Sequence, residues 1–372
     1  MSTAERHIEM YSGLTGLAAL QHDWQQLQQR IPQATFYQSH AWFSAYLQTL
    51  EETPDKLDLV ALYQNQECVG VLPLMQRQPQ RSLLQPTILE IPLLTGMDLT
   101  APPLAAGQSL ASWWPLLRKT FSTRGLHHFV IRMHGVPLDD GTHAALQEMA
   151  PWQIARVQGH TCWFDCNQPA ENLQQAYTTR LKKILRKGNR GLEKLGAVTF
   201  EAHSSGSGLT RAYDSFLQLE ASGWKGRQGS STALALDERS RLFHERFLFA
   251  DDTTLQPQIN LLKVAGKPVA AQLCIADGPA LSLLKIAFDQ SLSRLSPGSV
   301  LLDRLLATTC ATHASDKISL ITGQPWMDNW GAKKTAVADI WLFGRRSTAM
   351  LTRSALGARD RLRPLLARRA AS

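Results

Sequence analysis

Apolar residues along this chain recur at every second position in some runs and at every third or fourth in others, the signature of strands interleaved with amphipathic helices. The most ordered stretch runs from Ile259 to Trp330. It predicts a strand over 259–264, a tight turn at AGKP, a strand over 269–276, a turn at DGPA and a third strand over 281–289. A helix then opens at Ser296–Ser299, carries Val300, Leu301, Leu302, Leu305 and Leu306, and ends near His313, ahead of a strand at 318–323. A helix N-terminus facing a sheet leaves free backbone N–H groups and a positive dipole at the sheet opening, which suits a pyrophosphate.

In the first half, Ser39 is placed to cap a helix over 39–50, and 57–74 reads as a hairpin turning at 64–67. Helices are expected at 110–124 and 141–149, strands at 127–133 and 152–165, and loops with short strands in the Pro-punctuated segment 78–107. The second half opens on a basic helix, 170–195, followed by a strand at 197–203 and a Ser/Gly loop at 204–208. Helices at 209–222 and 237–249 precede the ordered stretch, and a last strand follows at 337–343. The hairpins at 57–74 and 259–276 both place Val and a small residue after the turn (Val69-Gly70, Val269-Ala270). That is the mark of an internal duplication, or of antiparallel hairpins in general. The expected division is two α/β domains, 1–165 and 166–344, and a basic tail, 345–372.

Composition narrows the class. With 372 residues, 44% hydrophobic and 19% charged, the chain has the make-up of a soluble globular protein with room for two cores. No apolar run reaches the ~18 residues of a membrane span, and the N-terminus lacks the pattern of a secretory signal. The five cysteines are odd in number and fall in apolar patterns, which predicts buried free thiols and a cytoplasmic location. The net charge of +8 is concentrated in two places. Between Arg180 and Lys194 stand seven Lys/Arg against Glu193, and between Arg345 and Ser372 eight Arg against Asp360. Two basic segments on an acidic body predict two local anionic contacts.

The first basic segment, with Arg180, Lys183 and Arg186, puts cations opposite an apolar stripe of Leu181, Ile184, Leu185 and Leu192. It reads either as a solvated face or as a seat for phosphates on a nucleotide-linked substrate, a tRNA or an anionic lipid. The loop GWKGRQGSS, 223–231, offers Trp224 for stacking and Lys225 and Arg227 for anions, without the spacing of a Walker A loop. Candidate bases are Glu220, just ahead of that loop, and Asp289, at the end of the third strand; Lys285 on the same strand is either an anion contact or a surface lysine. His127 and His128 point to opposite faces of a strand, and Cys162 and Cys166 have no matching second pair, so no metal is expected. The tail, with Leu351, Ala355, Ala358, Leu362 and Leu365 among its arginines, reads as an amphipathic cationic helix. It either docks at the inner face of an anionic membrane or is solvated.

Several motifs occur in a fixed order: an acidic residue before WKG-R-x-G-S, the strand pair around AGKPVAAQL, AFD at a strand end, and RLSPG opening a helix. Together with the RLKKILRKGNRGLEKLG helix and the VGVLPL hairpin, they resemble the GNAT superfamily, in its duplicated-domain branch of Fem-like and CelD-like acyltransferases, over residues 35–345. The resemblance implies two tandem GNAT-like α/β domains with mixed, largely antiparallel sheets. It also implies N-acyl transfer from acetyl-CoA or another acyl-CoA to an amino group of a sugar or a cell-envelope or polysaccharide precursor. Relatives differ in donor, so aminoacyl transfer from tRNA stands as one alternative and a non-catalytic binding module as another. The phosphate loop of the pattern falls on Arg294, Ser296, Gly298 and Ser299, with one glycine remaining and Pro297 supplying no N–H. Where relatives carry Gly-x-x-x-Tyr-Lys, this chain has Gly323-Gln-Pro-Trp326-Met; Trp326 and Trp330 are therefore the expected substrate contacts, with Lys333 and Lys334 close by.

Overall fold

The computed structural model describes residues 5–76, 86–93, 99–223, 225–226, 229–250, 255–352 and 354. Trp224, Arg227 and the tail from 355 onward lie outside the described residues, so the expected amphipathic tail helix is not described further.

Contacts divide the chain into two units, one of 1–16, 55–159 and 336–372, the other of 17–54 and 160–335. Compared with a single cut at 165, the segments 17–54, 160–165 and 336–344 change sides. In the second unit, α3 (His40–Thr49) packs on α9 (Glu238–Leu248): Trp42 meets Phe243 edge-on with centroids 4.6 Å apart, and Arg239 Nε donates to Thr49 O at 3.0 Å. In the first unit, β12 (Lys333–Phe343) joins the sheet against β5 (Phe129–Pro137).

The first unit is a meander. β1 (Arg6–Ser12), β2 (Leu57–Gln64), β3 (Glu67–Gln76) and β4 (Thr87–Glu90) pair antiparallel in sequence, and β4 then pairs parallel with β5. The β2–β3 turn places Asn65 and Gln66 at φ 51° and 67°, the two left-handed residues of a tight hairpin turn. In the chain β1 is followed by α1 (Gly13–Ala19) and α2 (Gln21–Gln28), which from Leu17 onward belong to the second unit. Between β4 and β5 lies α4 (Leu110–Thr123), as a parallel connection requires, and α5 (Asp140–Glu148) precedes β6 (Gln153–Asp165).

The second unit repeats the order. β7 (Val198–His203), β8 (Leu255–Val264), β9 (Lys267–Asp277) and β10 (Ala280–Phe288) are antiparallel neighbours, and β10 pairs parallel with β11 (Lys317–Ser319) across α10 (Pro297–Thr312). The 163–165 end of β6 closes this series antiparallel to β11. The basic segment expected as one helix over 170–195 is two, α6 (Ala170–Gln175) and α7 (Thr179–Glu193). The break falls at Thr178, whose side chain accepts from Leu181 N and so starts a new helix. α8 (Gly206–Ser222) begins inside the expected Ser/Gly loop, at Gly206 with φ 58°. The core of this unit buries Leu181, Leu185 and Leu192 of α7 against Val300, Leu301 and Leu305 of α10, each worth about 1.5–3 kcal/mol of transfer free energy. All five cysteines are free and buried.

Candidate functional site

β10 and β11 stay paired for three residues only, Ala280 to Ser282 against Lys317 to Ser319. Beyond that point β10 continues to Phe288 with β9 alone as its described neighbour, and a bulge falls between Leu283 and Lys285. An unpaired strand edge is a template for another extended chain. α10 opens beside this edge. Pro297 stands at its first position, where a missing N–H costs nothing, and Ser296 ahead of it is left-handed at φ 50° with no side-chain cap. A Cβ added to Gly298 would come 3.4 Å from both Ile286 and Phe288, which locates the helix start on the free end of β10.

Two features hold that geometry. Asp289 Oδ1 accepts from Ser291 N at 2.9 Å and Ser291 Oγ at 2.7 Å, capping the short 3-10 turn Gln290–Leu295 that carries the chain to α10. Leu295 then rests on α7 where Gly188 and Gly191 stand: a Cβ would come within 2.5 Å of Leu295 O at Gly188 and within 2.4 Å of Leu295 Cδ2 at Gly191. At Gly188, where the neighbour is a backbone carbonyl, only glycine allows that approach; at Gly191 the Leu295 side chain would have to shift. The basic helix thus has a second task, positioning the 290–299 loop, which its charge pattern does not reveal.

On the other side of the strand lies a charged cluster. Glu220, 3% exposed at the end of α8, accepts from Lys225 Nζ at 3.0 Å and from Leu234 N at 2.9 Å, and its Oε1 is 3.9 Å from Lys285 Nζ. Burial pushes the Lys285 ammonium below the usual lysine range; Glu220 works against that shift and Lys225 adds to it. Leu219, Glu220, Gly223, Lys225, Ile286, Ala287 and Phe288 line a small open cleft, so the two carriers of charge and the free strand end meet in one place. Among the polar atoms of this unit that are buried without a partner in the described residues, two belong to α8 and α9. His244 donates through Nδ1 to Ser240 O at 2.7 Å and leaves Nε2 unused, and burial holds its pKa down at about 3; Tyr213 Oη is likewise unmatched.

The predicted site residues sort accordingly. Glu220, Lys225 and Lys285 come together. Asp289 lies at the strand end, where its carboxylate caps the following turn. Arg294 is exposed, and Ser296, Gly298 and Ser299 form the helix start. Trp330, expected as a substrate contact, is a core residue instead: it is 2% exposed and packs edge-on against Tyr177 at 5.1 Å and Phe164 at 6.4 Å. Trp326 is 42% exposed, in the short helix Pro325–Trp330. Gly323 is demanded by His160, whose carbonyl oxygen would lie 2.2 Å from an added Cβ. Lys333 pairs with Asp165 at 2.7 Å and Lys334 with Asp328 at 2.6 Å, so neither stands idle at the cleft. Arg180, Lys183 and Arg186 are exposed on α7. Among the described residues no group of three or more His, Cys, Asp or Glu side chains is placed to hold a metal, and no helix is long and apolar enough to cross a membrane.

The site fits an acyl-CoA in outline. The uncapped helix start offers partial positive charge to a pyrophosphate, and the free edge of β10 offers amides and carbonyls to an extended arm. With Pro297 lacking an N–H, the cradle is narrower than a run of glycines makes.

Residues 179–325 match the family model of the acetyltransferase (GNAT) domain. No curated protein matches the sequence. Among solved structures the chain is similar to FemX, with a TM-score of 0.55 at 10% identity over 86% of this chain and 95% of that one. It is similar to a conserved protein of unknown function from Bacteroides thetaiotaomicron, with a TM-score of 0.55 at 12% identity over 90% and 99% of the two chains. A third is the C-terminal domain of a putative lysylphosphatidylglycerol synthetase from Agrobacterium fabrum, with a TM-score of 0.51 at 11% identity over 93% and 97%. At such identities the likeness speaks for the fold.

Proposed function

Because residues 179–325 belong to the acetyltransferase (GNAT) family and the chain has the Fem-like tandem fold, we propose that it is an acyl-CoA-dependent N-acyltransferase. Acetyl-CoA is the first donor to test, and the acceptor is an amino group on a sugar or another cell-envelope or polysaccharide precursor. The observation that carries this reading is gathered along one strand: beyond Ser282 β10 has no partner on its second edge among the described residues, Glu220 and Lys225 line the cleft at its Ile286–Phe288 end, Lys285 lies 3.9 Å from Glu220, and the start of α10, without a side-chain cap, packs on Ile286 and Phe288.

In this reading the amine nitrogen bonds to the acyl carbon as the carbon–sulfur bond breaks and the thiolate leaves. The attacking amine must lose a proton. Lys285, held below the usual lysine range, takes that proton at Nζ, and Glu220 Oε1 stabilises the ammonium so formed. Glu220 acts as electrostatic partner, since both of its oxygens already accept hydrogen bonds. Asp289 shapes the loop.

Calorimetric titration of the whole protein with acetyl-CoA, longer acyl-CoAs and charged tRNA tests the donor, with thiol release in the presence of amine acceptors as the activity readout. Saturable binding of a CoA ester and acceptor-dependent thiol release are expected. Binding of charged tRNA with no response to CoA esters replaces the reading with aminoacyl transfer, and no binding of either leaves a non-catalytic module.

A further inference from the structure

The proposed reaction leaves the outer face of α7 without a task. This helix is amphipathic: Leu181, Leu185, Gly188 and Leu192 are buried, and the seven Lys and Arg side chains from Arg180 to Lys194 are all exposed. Surface helices commonly answer their cations with acids three or four residues away. Here Glu193 is the one acidic residue of the helix, and none of the seven cations enters a described salt bridge. Lys182 Nζ donates to Gln175 O at 3.0 Å. The result is a cationic strip about 22 Å long.

Both ends of the strip carry an exposed large apolar side chain. Leu195, just past the C-terminal end, is 55% exposed, and Trp326 is 42% exposed. Trp326 is tied to the N-terminal end through Asn329, which accepts from Thr178 N at 2.9 Å and donates through Nδ2 to Trp326 O at 3.2 Å. We propose that this face of α7 seats the protein on an anionic bilayer surface, with the lysines and arginines at the lipid phosphates and Trp326 and Leu195 entering the interface. Charge complementarity alone fits any polyanion. The flanking residues favour a bilayer: an exposed leucine gains from an acyl boundary and nothing from a phosphodiester chain, and tryptophan is suited to the interfacial layer. The strip itself carries no aromatic side chain for bases to stack on.

Co-sedimentation of the whole protein with vesicles of phosphatidylglycerol and phosphatidylcholine tests the proposal, with pure phosphatidylcholine vesicles and a tRNA pool as comparisons. Binding to the anionic vesicles is expected, falling at least tenfold between low and high salt, with none to phosphatidylcholine. The exposed-site variant Lys183→Glu/Lys187→Glu/Arg190→Glu, checked for an unchanged circular dichroism spectrum, is expected to bind at least tenfold more weakly. Trp326→Ala is expected to bind about threefold more weakly. Wild-type binding by the charge-reversed variant would overturn the proposal by moving the contact elsewhere, for example to the arginine-rich tail. Tight tRNA binding without vesicle binding would overturn it in favour of a nucleic acid.

Discussion

The two units share one order of strands, four antiparallel neighbours and then a parallel partner across a helix, and they part company where that parallel pair ends. In the first unit, β4 and β5 pair from Thr87 to Glu90, and the groups beyond are taken up by the chain itself. Ile91 N donates to Arg132 O at 3.2 Å and Thr100 N to Gly135 O at 3.4 Å. Side chains there lie against one another: Arg132 meets Glu90 at 3.2 Å, and His134 lies 3.6 Å from Glu90 and 3.5 Å from Asp339, although Arg132 Nε is buried without a partner among the described residues. The helix that follows, α4, is capped by Ser109, which accepts from Ser112 N at 3.3 Å. In the second unit the equivalent edge of β10 has no partner among the described residues beyond Ser282, α10 starts without a side-chain cap, and the nearby charges are two lysines on one glutamate. Polar groups satisfied within the fold stabilise it, and groups left unsatisfied are where a ligand gains most. The proposed function accordingly puts the working site in the second unit and gives the first the part of a scaffold.

The largest effect should come from Lys285. Lys285→Met is expected to lower kcat by about 10²–10⁴-fold, the usual worth of a positioned base, in an assay of acceptor-dependent thiol release. Glu90→Gln in the first unit is expected to keep kcat within about twofold. An equal loss from both would erase the contrast. The pH profile sharpens it further. A base must be deprotonated, so kcat/KM should rise with pH and level off below the ordinary lysine range, and Glu220→Gln should move the midpoint lower by removing the charge that favours the ammonium.

A smaller effect is expected at Gly188, where a methyl group collides with Leu295 O. Gly188→Ala should cost about 1–3 kcal/mol by overpacking, read from thermal unfolding, and should raise the KM for the acyl donor by displacing the 290–299 loop. Another test, on stability and not on the site, is a pH effect on folding. Asp277 is buried, donor-matched at one oxygen by Phe36 N at 2.7 Å, and burial pushes its pKa up to about 8. The folded state then holds a proton that the unfolded chain releases above pH ~4, so this group's contribution to stability falls as pH rises from there to about 8. Asp277→Asn should flatten that slope in unfolding midpoints measured across the range.

Much of the fold was legible because periodicity reports burial. The hairpins at 57–74 and 259–276, the cap at Ser39 and the helix at Ser296–His313 all follow from alternation, turn residues and capping chemistry. The break at Thr178 escaped because leucines continue on either side of it and only the hydroxyl contact to Leu181 N marks a new start. The site was half legible. Glu220, Lys225 and Lys285 were identifiable as polar residues near a loop and a strand end, yet their meeting depends on α8 crossing β10. Trp330 misled because a tryptophan following the Gly323-Gln-Pro-Trp326-Met segment has the same sequence signature whether it binds a ligand or fills a core. The glycines of α7 gave no signal of their own, since close approach to Leu295 is a tertiary fact.

The most direct test uses the serine that both units place at the third residue of the helix after the parallel strand, Ser112 in α4 and Ser299 in α10. An aspartate there favours either helix electrostatically, so neither Ser112→Asp nor Ser299→Asp should lower the unfolding temperature. Acyl-CoA affinity, measured by calorimetry on the two variants side by side, should fall at least tenfold for Ser299→Asp and stay within about twofold of wild type for Ser112→Asp, since the new charge faces a bound pyrophosphate in the second unit alone. Equal losses from the two substitutions, or a greater loss from Ser112→Asp, would contradict the assignment of the working site to the second unit.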